Sequence, residues 1–341
     1  MKKQMIVFVL MVFCLQAISL SQTKKSATDW FESANEKYGL SDYQGAIADF
    51  TEAINLKPDF AGAFYGRGQA KSSLNDYQGT IADFTEAIKL KPDYVDAYNN
   101  RGYAKSVLKD YQGAIADYTK AVSLKPDNAF AYYNMAHAKV ALKDYQGAIA
   151  DYIETIKLNP DNLHAYVDKG KVRVELKDYQ GAIADFTELI NVSPDNANAF
   201  YNRGKAKYEL NDYQGAIADC TEAIKLKPDF VDAYYTNGRA KYKLNDYQGA
   251  IASFTYAIEL KPDNAEVYKN RGLAKSDFKD YQGANTDFTH AIELKPDYID
   301  AYYGRGRTYL IVNQKSDAIR DFLKVTELGY HVSQDTLDLC K

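Results

Sequence analysis

Four histidines, His137, His164, His290 and His331, and three cysteines, Cys14, Cys220 and Cys340, are the side chains of this sequence best suited to metal ligation, proton transfer or nucleophilic attack. Their spacing builds none of these sites. No His-Glu-x-x-His stretch puts two imidazoles on one helical face, and no Cys-x-x-Cys pair offers two thiolates. Neither a phosphate-cradling glycine loop nor a Gly-x-Ser-x-Gly elbow occurs. His137 and Asp168 offer one imidazole and one carboxylate, which is an incomplete metal site. The expectation is a chain with no catalytic residue, no metal and no cofactor. Cys220 and Cys340 lie too far apart in sequence to suggest a disulfide framework, and Cys220 is read as a small core hydrophobe.

The bulk composition narrows the partners. The 341 residues are 46% hydrophobic and 26% charged, with a net charge of -4, as in a folded soluble protein. A mildly acidic chain without a basic cluster is poorly suited to phosphate backbones, so no nucleic-acid partner is expected. Residues 1–21 have the layout of a secretory signal: Lys2 and Lys3, then an apolar stretch from Met5 to Leu20. That stretch is shorter than the roughly 20 apolar residues of a membrane span. Small residues at Ser19 and Ser21 suit cleavage before Gln22, and Phe13 is too bulky for lipid processing at Cys14. With 22–26 as a short linker, the chain is expected to be exported, to the periplasm, the envelope or the outside, with no membrane insertion after cleavage.

The chemistry that recurs is of another kind. The letters "DYQG" begin at Asp42 and return at Asp76, Asp110, Asp144, Asp178, Asp212, Asp246 and Asp280, always 34 residues on. A fixed period of this length marks a repeat array. Within one period, such as Ala61 to Tyr94, two stretches carry apolar residues at helical spacing, parted by a short polar break and closed by "KPD". Each period therefore reads as a helical hairpin. Asp76 is placed to cap the second helix, Pro92 to end it, and Asp93 to cap the first helix of the next unit. All eight prolines occupy this one place. Small residues such as Gly68, Gly102 and Gly204 fall where the helices must approach, and Phe50, Phe84, Tyr118 and Phe186 fill the space between layers. The glycines of "DYQG" each weaken the opening turn by up to about 1 kcal/mol relative to alanine and are read as relieving crowding.

Small, aromatic and proline places at period 34 resemble the tetratricopeptide repeat, over nine units from 27 to 332. The resemblance implies an all-α fold, a right-handed α-solenoid of nine hairpins. Departures are informative. Arg67, Arg101, Arg203, Arg271 and Arg305 replace the usual leucine, and Lys71, Lys105 and Lys207 the usual tyrosine; their partners are expected to be Asp83, Asp117, Asp219 and Asp287 on the second helix. In the seventh unit the pair becomes Asn237 and Ser253, a weak hint of direct pairing. Residues 333–341 are expected to form a capping helix that covers the last face with Leu337 and Leu339.

The second helix scarcely changes between units, whereas the first varies along one stripe, at its second, fifth, sixth, ninth, twelfth and thirteenth places. Those spacings share one helical face. The resemblance implies that this face lines a concave groove for extended peptides. The fifth place holds Tyr65, Asn99, Tyr133, Tyr201, Tyr235, Lys269 and Tyr303. The sixth holds Asn100, Asn134, Asp168, Asn202 and Asn270, an amide ladder able to bond a peptide backbone. The ninth turns basic at Lys171, Lys205, Arg239 and Arg307. The functional expectation is a non-enzymatic scaffold for proteins or peptides at the cell envelope. The alternative is a structural spacer that uses its ends and convex face.

Overall fold

In the computed structural model, which describes residues 25–340, each 34-residue period folds as two helices because the turn between them is closed twice over. The first helix of repeat 2 runs Ala61–Ser73 and the second Tyr77–Leu90. Between them Asn75 takes a left-handed φ of 62°, and the Asp76 N–H donates back to the Lys71 carbonyl at 2.9 Å. All nine hairpins repeat this turn with a residue that is not glycine, from Ser41 to Asn313. The conformation costs most side chains roughly 1–2 kcal/mol and asparagine less. Nineteen helices and no strand occur among the described residues.

The second helix opens on the recurring aspartate. Asp76 Oδ1 accepts the Gly79 N–H at 2.9 Å, satisfying a first-turn donor. A Cβ on Gly79 would fall 2.2 Å from the other carboxylate oxygen. The crowding that glycine relieves is therefore the cap itself. The aspartate after proline behaves otherwise than expected. Asp93 does not cap the next helix: that helix begins at Val95 behind Tyr94, whose side chain makes no cap bond. The Asp93 carbonyl instead accepts the Val95 N–H at 2.9 Å inside a turn, which moves the cap one residue along. Where that later residue is Asn128, Asn162 or Asn196, its amide oxygen does cap the helix. Where it is Tyr94 or Phe230, its ring packs at a tilt on the fifth-place ring of its own repeat: Tyr94 lies 4.7 Å from Tyr65, and Phe230 lies 4.8 Å from Tyr201.

Aromatic side chains fill the core, with Phe84, Tyr118, Phe186 and Phe288 at most 1% exposed. Their fit depends on glycine. A Cβ on Gly68 would sit 2.7 Å from Phe84, and one on Gly66 2.4 Å from Phe50 of the preceding repeat. Cys220 takes the aromatic place in repeat 6 and is fully buried; burial, with Asp219 beside it, pushes its thiol up to about 12, as suits a core side chain.

Charged groups tie the hairpins. Arg67 grips Asp83 with Nε at 3.0 Å and Nη2 at 2.7 Å, and Lys71 reaches the same carboxylate at 2.8 Å. The free Nη1 donates to Thr51 of the preceding repeat at 3.1 Å. One guanidinium thus joins its own hairpin to its neighbour. The Arg101, Arg203, Arg271 and Arg305 clusters repeat this arrangement. In repeat 7 the Ser253 hydroxyl donates to Asn237 Oδ1 at 3.0 Å, and Asn237 Nδ2 donates to Thr221 at 3.3 Å, a neutral version of the same link.

The chain divides into two compact units, the first ending at Asn159 and the second beginning at Pro160. Ile153 stands at the threonine place of repeat 4 and is 44% exposed. Lys169 stands at the arginine place of repeat 5 and turns to Asp185 and Glu188, each at 3.2 Å. At the C-terminal end a short helix, Gln334–Asp338, follows repeat 9. Leu337 joins the core there as expected, but Leu339 is 66% exposed and Cys340 takes the covering position beside Val332. The helix ends at Asp338, so Leu339 leaves the buried face. Residues 1–21, read above as a secretory signal, and most of the segment read as a linker lie outside the described residues.

Candidate functional site

The varied stripe of the first helices is half-buried to exposed at most of its places, with Gly66, Asn99 and Thr236 among the buried ones. Its fifth place is anchored from below: Tyr65 packs on Phe84 at 5.4 Å, Tyr133 on Tyr152 at 5.9 Å, Tyr235 on Phe254 at 6.0 Å and Tyr303 on Phe322 at 5.7 Å. A ring at this place spans from core to rim. Asn99 is too short to do so. It is buried, and its Oδ1 has no hydrogen-bond partner, so its amide does not join the accessible row.

The amide row at the sixth place is of two kinds rather than one regular ladder. Asn100 Nδ2 donates to the Tyr65 hydroxyl of the preceding repeat at 2.9 Å, and Asn270 Nδ2 does the same to Tyr235 at 2.9 Å. Asn134 and Asn202 instead donate back to the carbonyls of Phe130 and Asn198, one turn earlier, at 2.8 and 2.7 Å. In all four the amide donor already has a partner. Asp168 lies partly buried at the same place of repeat 5.

Three recesses open on this face. The first unit holds one of about 420 Å³, lined by Tyr38, Gln69, Asn100, Tyr103 and Phe130 among others and free of charged residues. In the second unit, Lys171, Tyr201 and Asn202 share a recess of about 530 Å³ with His164 and Phe230. Tyr235, Arg239, Lys269 and Asn270 share another of about 280 Å³ with Tyr208, Tyr242, Lys243 and Glu266. Tyr103, Phe130, Lys243 and Glu266 were not singled out from sequence, although each sits on the variable stripe. Comparing the stripe place by place would have found them.

Charge is distributed unevenly along the stripe. Among the described residues Lys171, Lys205, Arg239, Lys269 and Arg307 make no ion pair within 4.0 Å, unlike the arginines and lysines that tie the hairpins. Lys205 and Arg307 are exposed. Arg239 is held over Tyr208 at 4.4 Å and Tyr235 at 5.6 Å. Burial, reinforced by the Glu266 hydrogen bond, raises the Tyr235 pKa and keeps its hydroxyl protonated as a donor. Among the described residues no three His, Cys, Asp or Glu side chains gather where a metal ion could sit. No described helix is long and apolar enough to cross a membrane.

The comparisons with known proteins bear on the family and the fold. A family model described as TPR repeat matches residues 72–106, 170–211 and 238–276. A second, described as tetratricopeptide repeat, matches 95–128, 129–162 and 197–230. No curated protein matches the chain in sequence. Among solved structures, a tetratricopeptide repeat protein from Parabacteroides merdae is 20% identical with a TM-score of 0.53, over 72% of this chain and 98% of its own. MamA from Desulfovibrio magneticus RS-1 is 23% identical with a TM-score of 0.46, over 49% of this chain and 95% of its own. Periodic capped hairpins, aromatic layers over glycine and two matching repeat models place this chain in the tetratricopeptide repeat family.

Proposed function

We propose that the chain is a non-enzymatic protein-interaction scaffold that holds an extended segment of a protein partner in a groove formed by the first helices. The observation that carries this reading is the contrast between the two helices of each repeat: the second is nearly invariant, while the first varies along the one face that carries the three recesses. Rings anchored in the core give that face rigid aromatic area at small entropic cost. The cations at its ninth place, which make no ion pair with a described residue, offer charge to a partner. Panning a random peptide library on the full chain, then titrating the selected peptide, tests the reading. Substitution of Tyr201, Asn202, Lys205, Tyr235 and Arg239 should abolish capture with helicity retained; persistence of capture contradicts it.

A second reading rests on the ends. Leu40 in the first repeat is 80% exposed, and Leu323, Tyr330 and Leu339 near the C-terminus are 57%, 55% and 66% exposed. This favours a spacer or assembly component that joins partners end-on. Export to the periplasm, envelope or outside is part of the proposal, supported by the charge and apolar pattern of residues 1–21. Mass measurement of protein recovered from a fractionated cell, with Gln22 as the expected first residue, tests it.

A further inference from the structure

The recess of repeats 6–8 differs in kind from the face of repeats 2–4. The earlier stripe offers Gln69, Asn100 and Tyr103, without charge at the recess. The later one brings Arg239, Lys243 and Lys269 around a single lining carboxylate, Glu266. Glu266 pairs with none of the three within 4.0 Å; it accepts the Tyr235 hydroxyl at 2.6 Å. Nearby Asp277 is likewise engaged by the Tyr242 hydroxyl at 2.6 Å. Each of these acids keeps its negative charge but is engaged by a tyrosine hydroxyl rather than by a cation, and three cations against one lining carboxylate leave the recess with an excess of positive charge. Arg239 is in addition held in place by the rings of Tyr208 and Tyr235, so its guanidinium is positioned before any ligand arrives.

Resting on the scaffold reading above, we propose that this recess receives an acidic segment of the protein partner, whose carboxylates accept hydrogen bonds from Arg239, Lys243 and Lys269. The volume of about 280 Å³ admits one or two side chains. The exposed Asp232 and Asp300 on the same stripe, with a chain net charge of -4, repel a long polyanion such as nucleic acid. A short acidic cluster meets the cations without extending over those aspartates.

The test uses two labelled peptides on the full chain: one of alternating glutamate and alanine, and its glutamine-alanine counterpart. Fluorescence anisotropy should show the glutamate peptide binding roughly tenfold tighter or more, with the preference shrinking as salt rises. The triple variant R239Q/K243Q/K269Q should lose that preference while circular dichroism stays unchanged. R239K, which keeps charge but not the planar fork, should lose part of it. Equal binding of the two peptides, or a preference that survives the triple variant, overturns the proposal. If the glutamine peptide binds equally well and Y201F/N202A weakens it, the groove reading stands and the acidic partner alone is excluded. If neither peptide binds, the acidic proposal fails, and the library selection decides the groove reading separately.

Discussion

Asp110 Oδ1 accepts the Gly113 N–H at 2.9 Å, and a Cβ on Gly113 would lie 2.2 Å from Asp110 Oδ2. The cap and the glycine are one device: the carboxylate lies over the opening turn only because nothing projects from its third residue. Alanine at this position ordinarily stabilises a helix by roughly 0.5–1 kcal/mol, but here it must displace a cap worth about 1 kcal/mol. Gly113→Ala should therefore destabilise the wild-type chain, yet stabilise the D110A chain. Urea midpoints of the four proteins in the cycle check the reversal of sign; the same sign in both backgrounds contradicts the account.

Arg101 bridges Asp117, at 2.9 and 2.6 Å, and Thr85 of the preceding repeat, at 3.0 Å. Removing it leaves a buried carboxylate with Lys105 alone at 2.8 Å. Arg101→Met should cost about 2 kcal/mol, below the range for a fully buried broken pair because Lys105 remains. Repeat 4 already lacks this arginine: Met135 stands there, and among the described residues Asp151 pairs with Lys139 alone, at 2.6 Å. Met135→Arg should raise the unfolding midpoint by restoring the Asp151 and Thr119 contacts. A fall in that midpoint would mean that the guanidinium cannot reach both partners.

Burial holds the Asp151 and Asp185 carboxyls above the ordinary carboxylate value, despite Lys139 beside the first and Lys169 and Arg173 beside the second. The folded chain therefore binds these protons more tightly than the unfolded chain does. Their favourable contribution is complete below the unfolded pKa and is lost as pH rises through the folded value. Asp151→Asn removes that loss, so its melting temperature relative to wild type should be higher at neutral pH than in acid. A difference that does not change with pH contradicts the assignment.

The turn between the two helices holds a left-handed residue in every repeat, and Lys109 adopts φ 65° there. Lysine gains nothing from that geometry. Lys109→Gly should stabilise the chain by about 1 kcal/mol, and Asn by somewhat less. Thermal melts distinguish this from the neutral outcome expected of an ordinary exposed lysine.

Much of this was legible in sequence because it is local and repeated. The period, the hairpins, the Asp76 cap and the proline stop all follow from residues within a few places of each other, and eight copies remove ambiguity. Even the Arg–Asp link left a trace, since Asn237 and Ser253 change together. What could not be read depends on a single residue of turn geometry or on a neighbour in the next repeat. Asp93 and Tyr94 differ by one place, and only the backbone decides which precedes the helix. The Arg67–Thr51 bond runs backwards across repeats, and a threonine so placed looks like any exposed helix residue. Asn99 sits in a tyrosine row, but its reach, not its polarity, removes it from the surface. Leu339 depends on where a five-residue helix stops.

The central claim is that specificity resides in the first-helix face. It is tested most directly by titrating a library-selected peptide calorimetrically into three proteins: wild type, the face variant Y201F/N202A/K205A/Y235F/R239A, and a second-helix control, E222Q/K225Q, whose lysine side chain is 74% exposed. The phenylalanines keep the packed rings and remove only the hydroxyls. The account predicts that the face variant loses roughly a hundredfold or more in affinity, while the control binds as wild type does and all three keep the same helicity. Undiminished binding by the face variant, or a comparable loss in the control, would contradict it.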